Sequence, residues 1–121
     1  MKFQNTPNFS HGQQDKIGVL LTNLGTPDAP TKEALKPYLK EFLSDPRVVE
    51  IPRLIWWCIL NGVILPFRSR RSAKAYKGVW TEEGSPLLVN TQNIANKVAE
   101  HYSDNSDVIV DFAMRYGNPS V

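Results

Sequence analysis

Six basic residues, Arg53, Arg68, Arg70, Arg71, Lys74 and Lys77, fall between positions 51 and 81 with no acid among them. The rest of the chain carries eight basic residues against twelve acidic ones. A cationic block on a mildly acidic body is chemistry for an anionic ligand group, an acidic membrane surface or nucleic acid, and a solvated helix face has the same pattern. A further cation, Arg115, follows directly on an apolar run, where its guanidinium can fork onto a ligand carboxylate. Asp111, four residues back, offers it a structural ion pair instead. Ser85 either presents its hydroxyl to a ligand or caps the helix that Pro86 begins. Cys58, the one cysteine, lies in an apolar run and is expected as a buried, inert thiol. His11 stands near the start of the chain and His101 at a helix end, far from any nucleophile or metal-ligand spacing. The residues supply groups that hold an anion, with no catalytic constellation, no metal ligands and no phosphate-cradling or dinucleotide loop.

These groups need elements to place them. Residues 17–23 (IGVLLTN) are nearly continuously apolar, as in a strand buried on both faces of a parallel sheet. A Gly/Pro turn follows at 24–28. Thr31 can cap a helix over 32–43, kinked or delayed by Pro37. Residues 48–51 can form a short strand, and Pro52 suits the first position of the next helix. That helix, ending at Pro66, is apolar almost all round but too short to span a bilayer. It is either a core helix with Trp56 and Trp57 inside or a lip that dips into a membrane interface, with Arg68, Arg70 and Arg71 suited to anionic headgroups. A basic helix over 69–79, a turn at 81–84, a helix over 87–101 and an alternating strand over 107–114 complete the order. Strands separated by helices imply an α/β fold with a parallel sheet. In such sheets ligands sit at the carboxyl ends of the strands, which picks out the loops 23–27 and 115–119.

With 41% hydrophobic and 21% charged residues, the 121-residue chain has a globular composition. The counts exclude a zinc finger, a disulfide-stapled secreted scaffold and a polytopic membrane protein. Residues 1–16 are polar, without the apolar core of a signal peptide, and are expected to be a disordered tail. A reducing, cytoplasmic setting fits the single cysteine.

Four segments occur in order: LLTNLGTP at 20–27, an apolar lip running into Arg68-Ser69-Arg70-Arg71, GSPL at 84–87, and AMRYGNPS at 113–120. Together they resemble the N-terminal part of ferrochelatase, which inserts ferrous iron into protoporphyrin IX to make protohaem. The resemblance covers residues 17–121. It implies a Rossmann-like, chelatase-type sheet, the incomplete first domain of a two-domain enzyme whose second domain is absent here. It implies roles as well. Leu24 matches the residue that overhangs the macrocycle, acting by shape because Leu cannot ligate iron. Arg70 and Arg71 match a basic pair that engages the propionates, and Ser85 and Tyr76 match hydroxyls on the propionate side. Arg115 and Tyr116 match a pair on the inner wall of the cleft. Residues 55–67 match the apolar lip, implying peripheral contact with the inner membrane. No His or Glu here matches the family's catalytic histidine and its glutamate partner, so the isolated chain is expected to be inactive. No cofactor is implied beyond the two substrates, and the NLGTP and MRYGNPS forms resemble the protoporphyrin-using branch. A non-catalytic tetrapyrrole-binding module is the alternative. A nucleic-acid module rests on the basic block alone and lacks interleaved exposed aromatics, so no nucleic-acid partner is expected.

Overall fold

The computed structural model describes Gly12 and residues 14–121. Most of the expected tail, residues 1–16, lies outside the described residues. Its described end is exposed, and Gln14 donates to Asp107 at 3.1 Å.

Two strands, β1 (Ile17–Thr26) and β2 (Val108–Gly117), pair in parallel from Ile17 against Val108 to Thr26 against Gly117. Between them run α1 (Lys32–Ser44), α2 (Arg53–Ile59), a π-helical stretch (Leu60–Ile64), α3 (Leu65–Val79) and α4 (Pro86–His101). The α/β class with a parallel sheet is as the sequence implies. Alternation puts Val19, Leu21 and Asn23 on one face of β1, beside Val110, Phe112 and Met114 of β2. Helix α4 covers that face, tied to it where Asn23 Nδ2 donates to Thr91 Oγ1 at 3.0 Å. On the opposite face Leu20, Leu24 and Ile109 are about half exposed.

Both strands outrun their expected ends by three residues, so Leu24-Gly25-Thr26 and Arg115-Tyr116-Gly117 are sheet, not loop. Glycine makes this possible. Gly25 (φ +116°) and Gly117 (φ +80°) lie where a Cβ would run into the Tyr116 and Thr26 carbonyls of the facing strand. Past β2 the chain turns back on itself, with Met114 N–H donating to Pro119 O at 2.6 Å and Val121 N–H to Met114 O at 3.1 Å.

Helix α1 starts directly at Lys32, with Thr31 Oγ1 accepting from Ala34 N–H at 3.3 Å, and runs through Pro37 without delay. Residues 48–51 are irregular, leaving a turn and ending in a bend, rather than strand, and Pro52 is the cap before α2 rather than its first residue. Pro66 does not end the apolar helix. The π stretch shifts the hydrogen-bond register, with Leu65 N–H donating to Leu60 O five residues back. Pro66 then falls in the first turn of α3, where a missing N–H costs little.

A second core forms where α1 meets the long helix. Leu43, Leu60 and Leu65 are buried there, with Leu39, Phe42, Val49, Trp56 and Ile64 packed around them. Trp56 Nε1–H donates to Leu43 O at 2.6 Å, satisfying one of the carbonyls that the end of α1 leaves open. Only one side of α2 is used in this way. Leu54, Ile55, Trp57 and Cys58 are exposed, as are Val63 and Phe67 beyond it. The two tryptophans therefore part company, and Cys58 is an exposed thiol rather than a buried one. Among the described residues no helix is long and apolar enough to cross a membrane.

Candidate functional site

The carboxyl end of the sheet gathers most of the residues singled out from sequence. Leu24 lies opposite Arg115, between the paired Asn23–Met114 and Gly25–Tyr116, and its side chain is 51% exposed. Ser85 is brought to the same end by Thr26, whose hydroxyl donates to Ser85 Oγ at 2.8 Å. Ser85 occupies the N-cap of α4 as expected, but its side chain caps nothing, and both hydroxyl residues are buried. The bond to Thr26 replaces the capping bond, leaving the Ser85 proton without a protein acceptor among the described residues.

Tyr76 reaches this region through a neighbour. Tyr38 is buried and donates its phenol hydrogen to Gly25 O at 3.2 Å. Burial pushes the Tyr38 phenol above its ordinary range, and Tyr76 beside it adds to the rise. Tyr76 is half-buried and packs edge-on to Trp80, with centroids 6.4 Å apart. Arg70 and Arg71 lie about one to two turns earlier on α3. Both are exposed, and neither meets a carboxylate among the described residues.

Arg115 does form an ion pair, but not with Asp111. Asp111 Oδ1 accepts from Phe112 N–H at 2.8 Å, while Arg115 Nη2 reaches Asp45 Oδ2 at 3.0 Å. Asp111 lies on the strand's exposed face, whereas Asp45, the cap at the end of α1, is delivered to the strand end by helix packing. Tyr116 OH donates to the same Asp45 oxygen at 2.9 Å, and Arg115 Nε lies 3.4 Å from the Tyr116 oxygen. The Arg47 N–H, Tyr116 and Arg115 together hold the Asp45 carboxyl down to about 2, against a smaller opposing effect of burial. Hydrogen bonds to Tyr116 and Asp45 push the Arg115 guanidinium further up. The Tyr116 ring meets Phe42 edge-on at 5.1 Å, which fixes the triad against α1.

Sequence reasoning missed Asp45 and Tyr38. In the sequence Asp45 is marked only by the proline that follows it, and Tyr38 only by lying within the expected helix over 32–43. It missed Glu41 too, whose carboxylate accepts from Gly117 N–H at 3.0 Å and braces the turn out of β2. A clamp from Asn118 Nδ2 to both Asp28 oxygens, at 3.0 and 3.1 Å, ties the turn at 24–28 to the segment 115–119. His101 ends α4 and is exposed. Among the described residues no group of His, Cys, Asp and Glu side chains is placed to hold a metal ion.

The geometry provides an exposed apolar residue at a sheet end, hydroxyls beside it, a matched cation on its wall and unmatched cations on an adjoining helix. That combination suits a flat apolar ligand bearing carboxylates. Comparison with known proteins bears on the family. A family model described as ferrochelatase matches residues 16–121. A ferrochelatase of Idiomarina loihiensis is 68% identical over 125 residues, covering 100% of this chain and 34% of the relative. That of Pseudoalteromonas atlantica is 60% identical with the same coverage, and that of Chromobacterium violaceum is 56% identical over 99% of this chain and 34% of its own length. The chain therefore spans about a third of the length of the curated relatives it matches. No solved structure matches it. Nearly the whole chain thus fits one family in both motif and model, and it belongs to the ferrochelatase family.

Proposed function

We propose that the chain forms one wall of the porphyrin cleft of a ferrochelatase, which inserts ferrous iron into protoporphyrin IX to yield protohaem. The observation that carries this is the convergence of Leu24, Arg115 and Tyr116 at one end of the sheet, with Ser85 tied there by Thr26. The macrocycle packs against Leu24, whose bulk presses on one face of the ring. Its propionates lie toward Arg70 and Arg71, whose charges meet no carboxylate among the described residues. The hydroxyls of Ser85 and Tyr76 contribute hydrogen bonds on that side. Ferrous iron is a substrate, and no cofactor is assigned.

Loss of two pyrrole protons needs a base, and this reading assigns that role to none of the described residues. The chain binds the ring and orients it. The exposed apolar residues of this helical run, Trp57 of α2 and Phe67 of α3, rest with the α3 cations on an anionic membrane from the cytoplasmic side. Absorbance titration of the 121-residue chain with protoporphyrin IX, paired with an iron-insertion assay, tests this reading. Saturable binding without protohaem formation is expected. Absence of binding, or insertion well above the uncatalysed rate, overturns it.

A further inference from the structure

The three arginines of the proposed site differ in one respect. Arg70 and Arg71 are exposed and meet no acid among the described residues, whereas Arg115 is held by Asp45. Both carboxylate oxygens of Asp45 accept hydrogen bonds. Its Oδ1 accepts from Arg47 N–H at 2.8 Å, and its Oδ2 accepts from Arg115 and from Tyr116. As the cap of α1 its backbone is set by that helix, and its side chain is 15% exposed, against 47% for Arg115. The guanidinium is steadied again by the Tyr116 phenol through Nε. Arg115 is therefore a cation that is pinned and charge-matched, yet still open to a ligand on one side. An anionic ligand group gains less from a matched cation than from an unmatched one, since the bound carboxylate already occupies the attraction and repels a second anion.

We propose that Asp45 sets the orientation of the ligand: by cancelling Arg115 it denies the ligand's carboxylates a second anchor at the sheet end, so that they settle on Arg70 and Arg71. This rests on the porphyrin reading above. Asp45→Asn keeps the size of the side chain and the acceptor for Arg47 N–H, but leaves Arg115 unmatched. A second anion site then appears at the sheet end.

The test uses the 121-residue chain, Asp45→Asn, and the double variant Asp45→Asn/Arg115→Gln. Two probes are titrated. Inorganic phosphate is followed at the arginine Nε–H resonances by NMR, and protoporphyrin IX is followed by fluorescence. In the unaltered chain, phosphate is expected to shift the Arg70 and Arg71 resonances and to leave that of Arg115 in place. In Asp45→Asn, the Arg115 resonance is expected to respond saturably to phosphate. Protoporphyrin then binds roughly two- to fivefold tighter, the size of one partly exposed charge interaction. Adding Arg115→Gln removes the gain. A merely structural role for Asp45 does not give that pattern, because lost packing is not repaired by deleting the partner charge. An Arg115 response in the unaltered chain equal to those of Arg70 and Arg71 overturns the proposal without recourse to any variant. So does an Asp45→Asn gain that survives Arg115→Gln. If protoporphyrin binds to none of the chains, the porphyrin reading alone fails, and the phosphate comparison still decides the role of Asp45.

Discussion

Asp45 is the residue on which the sheet end turns, and its titration gives it a signature. Its carboxyl is depressed from the ordinary 3.8 to about 2. A depressed acid contributes stability that is fully present above its unfolded value and lost as pH falls through the folded one. The stability difference between the chain and Asp45→Asn is therefore expected to be constant above about pH 5 and to shrink between about pH 4 and 2. Urea midpoints measured across that range check it; a difference that grows on acidification contradicts it. Tyr38 acts by hydrogen bond rather than charge. Tyr38→Phe leaves the Gly25 carbonyl without its phenol donor and is expected to cost about 1 kcal/mol in denaturant unfolding. Ser85 shows how local rules yield to tertiary ones. A serine before a proline at a helix start reads as a cap, yet Thr26, distant in sequence, takes the hydroxyl.

At the scale of elements, close strand approach is the feature most exposed to test. Gly25→Ala places a Cβ against the Tyr116 carbonyl at a φ that alanine disfavours, and is expected to cost about 2–4 kcal/mol. Gly18→Ala, with open space around it on the same strand, is the control and is expected to change stability by under about 0.5 kcal/mol. Thermal unfolding of the pair separates backbone crowding from a general cost of altering β1. The helical run from α2 to α3 makes a different statement. Its apolar residues divide between a core against α1 and an open face bearing Trp57 and Phe67. Vesicles containing anionic lipid are expected to shift Trp57 emission to the blue. Trp57→Ser/Phe67→Ser is expected to weaken vesicle binding about tenfold or more, as the loss of two large buried apolar groups requires. Equal binding by the variant contradicts a membrane-facing role for this side.

For the whole molecule, much of the plan was legible because it is written in periodicity. The runs at 17–23 and 107–114, the Thr31 cap and the Ser85-Pro86 start each carry a local signal that the fold obeys. The errors share one cause. The strand extensions through Gly25 and Gly117, the passage through Pro66, the exposure of Cys58 and the choice of Asp45 over Asp111 all depend on which element lies alongside, and hydropathy does not record that. The ordered motifs identified the family, but the partners within the site came from packing. The central claim is that this wall holds a porphyrin through its carboxylates on Arg70 and Arg71. Titrating the chain and its Arg70→Ala/Arg71→Ala variant with protoporphyrin IX and with its dimethyl ester tests it directly. The unaltered chain is expected to prefer the free acid by roughly tenfold, and the variant to bind acid and ester alike, since charge-assisted bonds to two carboxylates are lost. Equal affinity of the unaltered chain for acid and ester would contradict the claim.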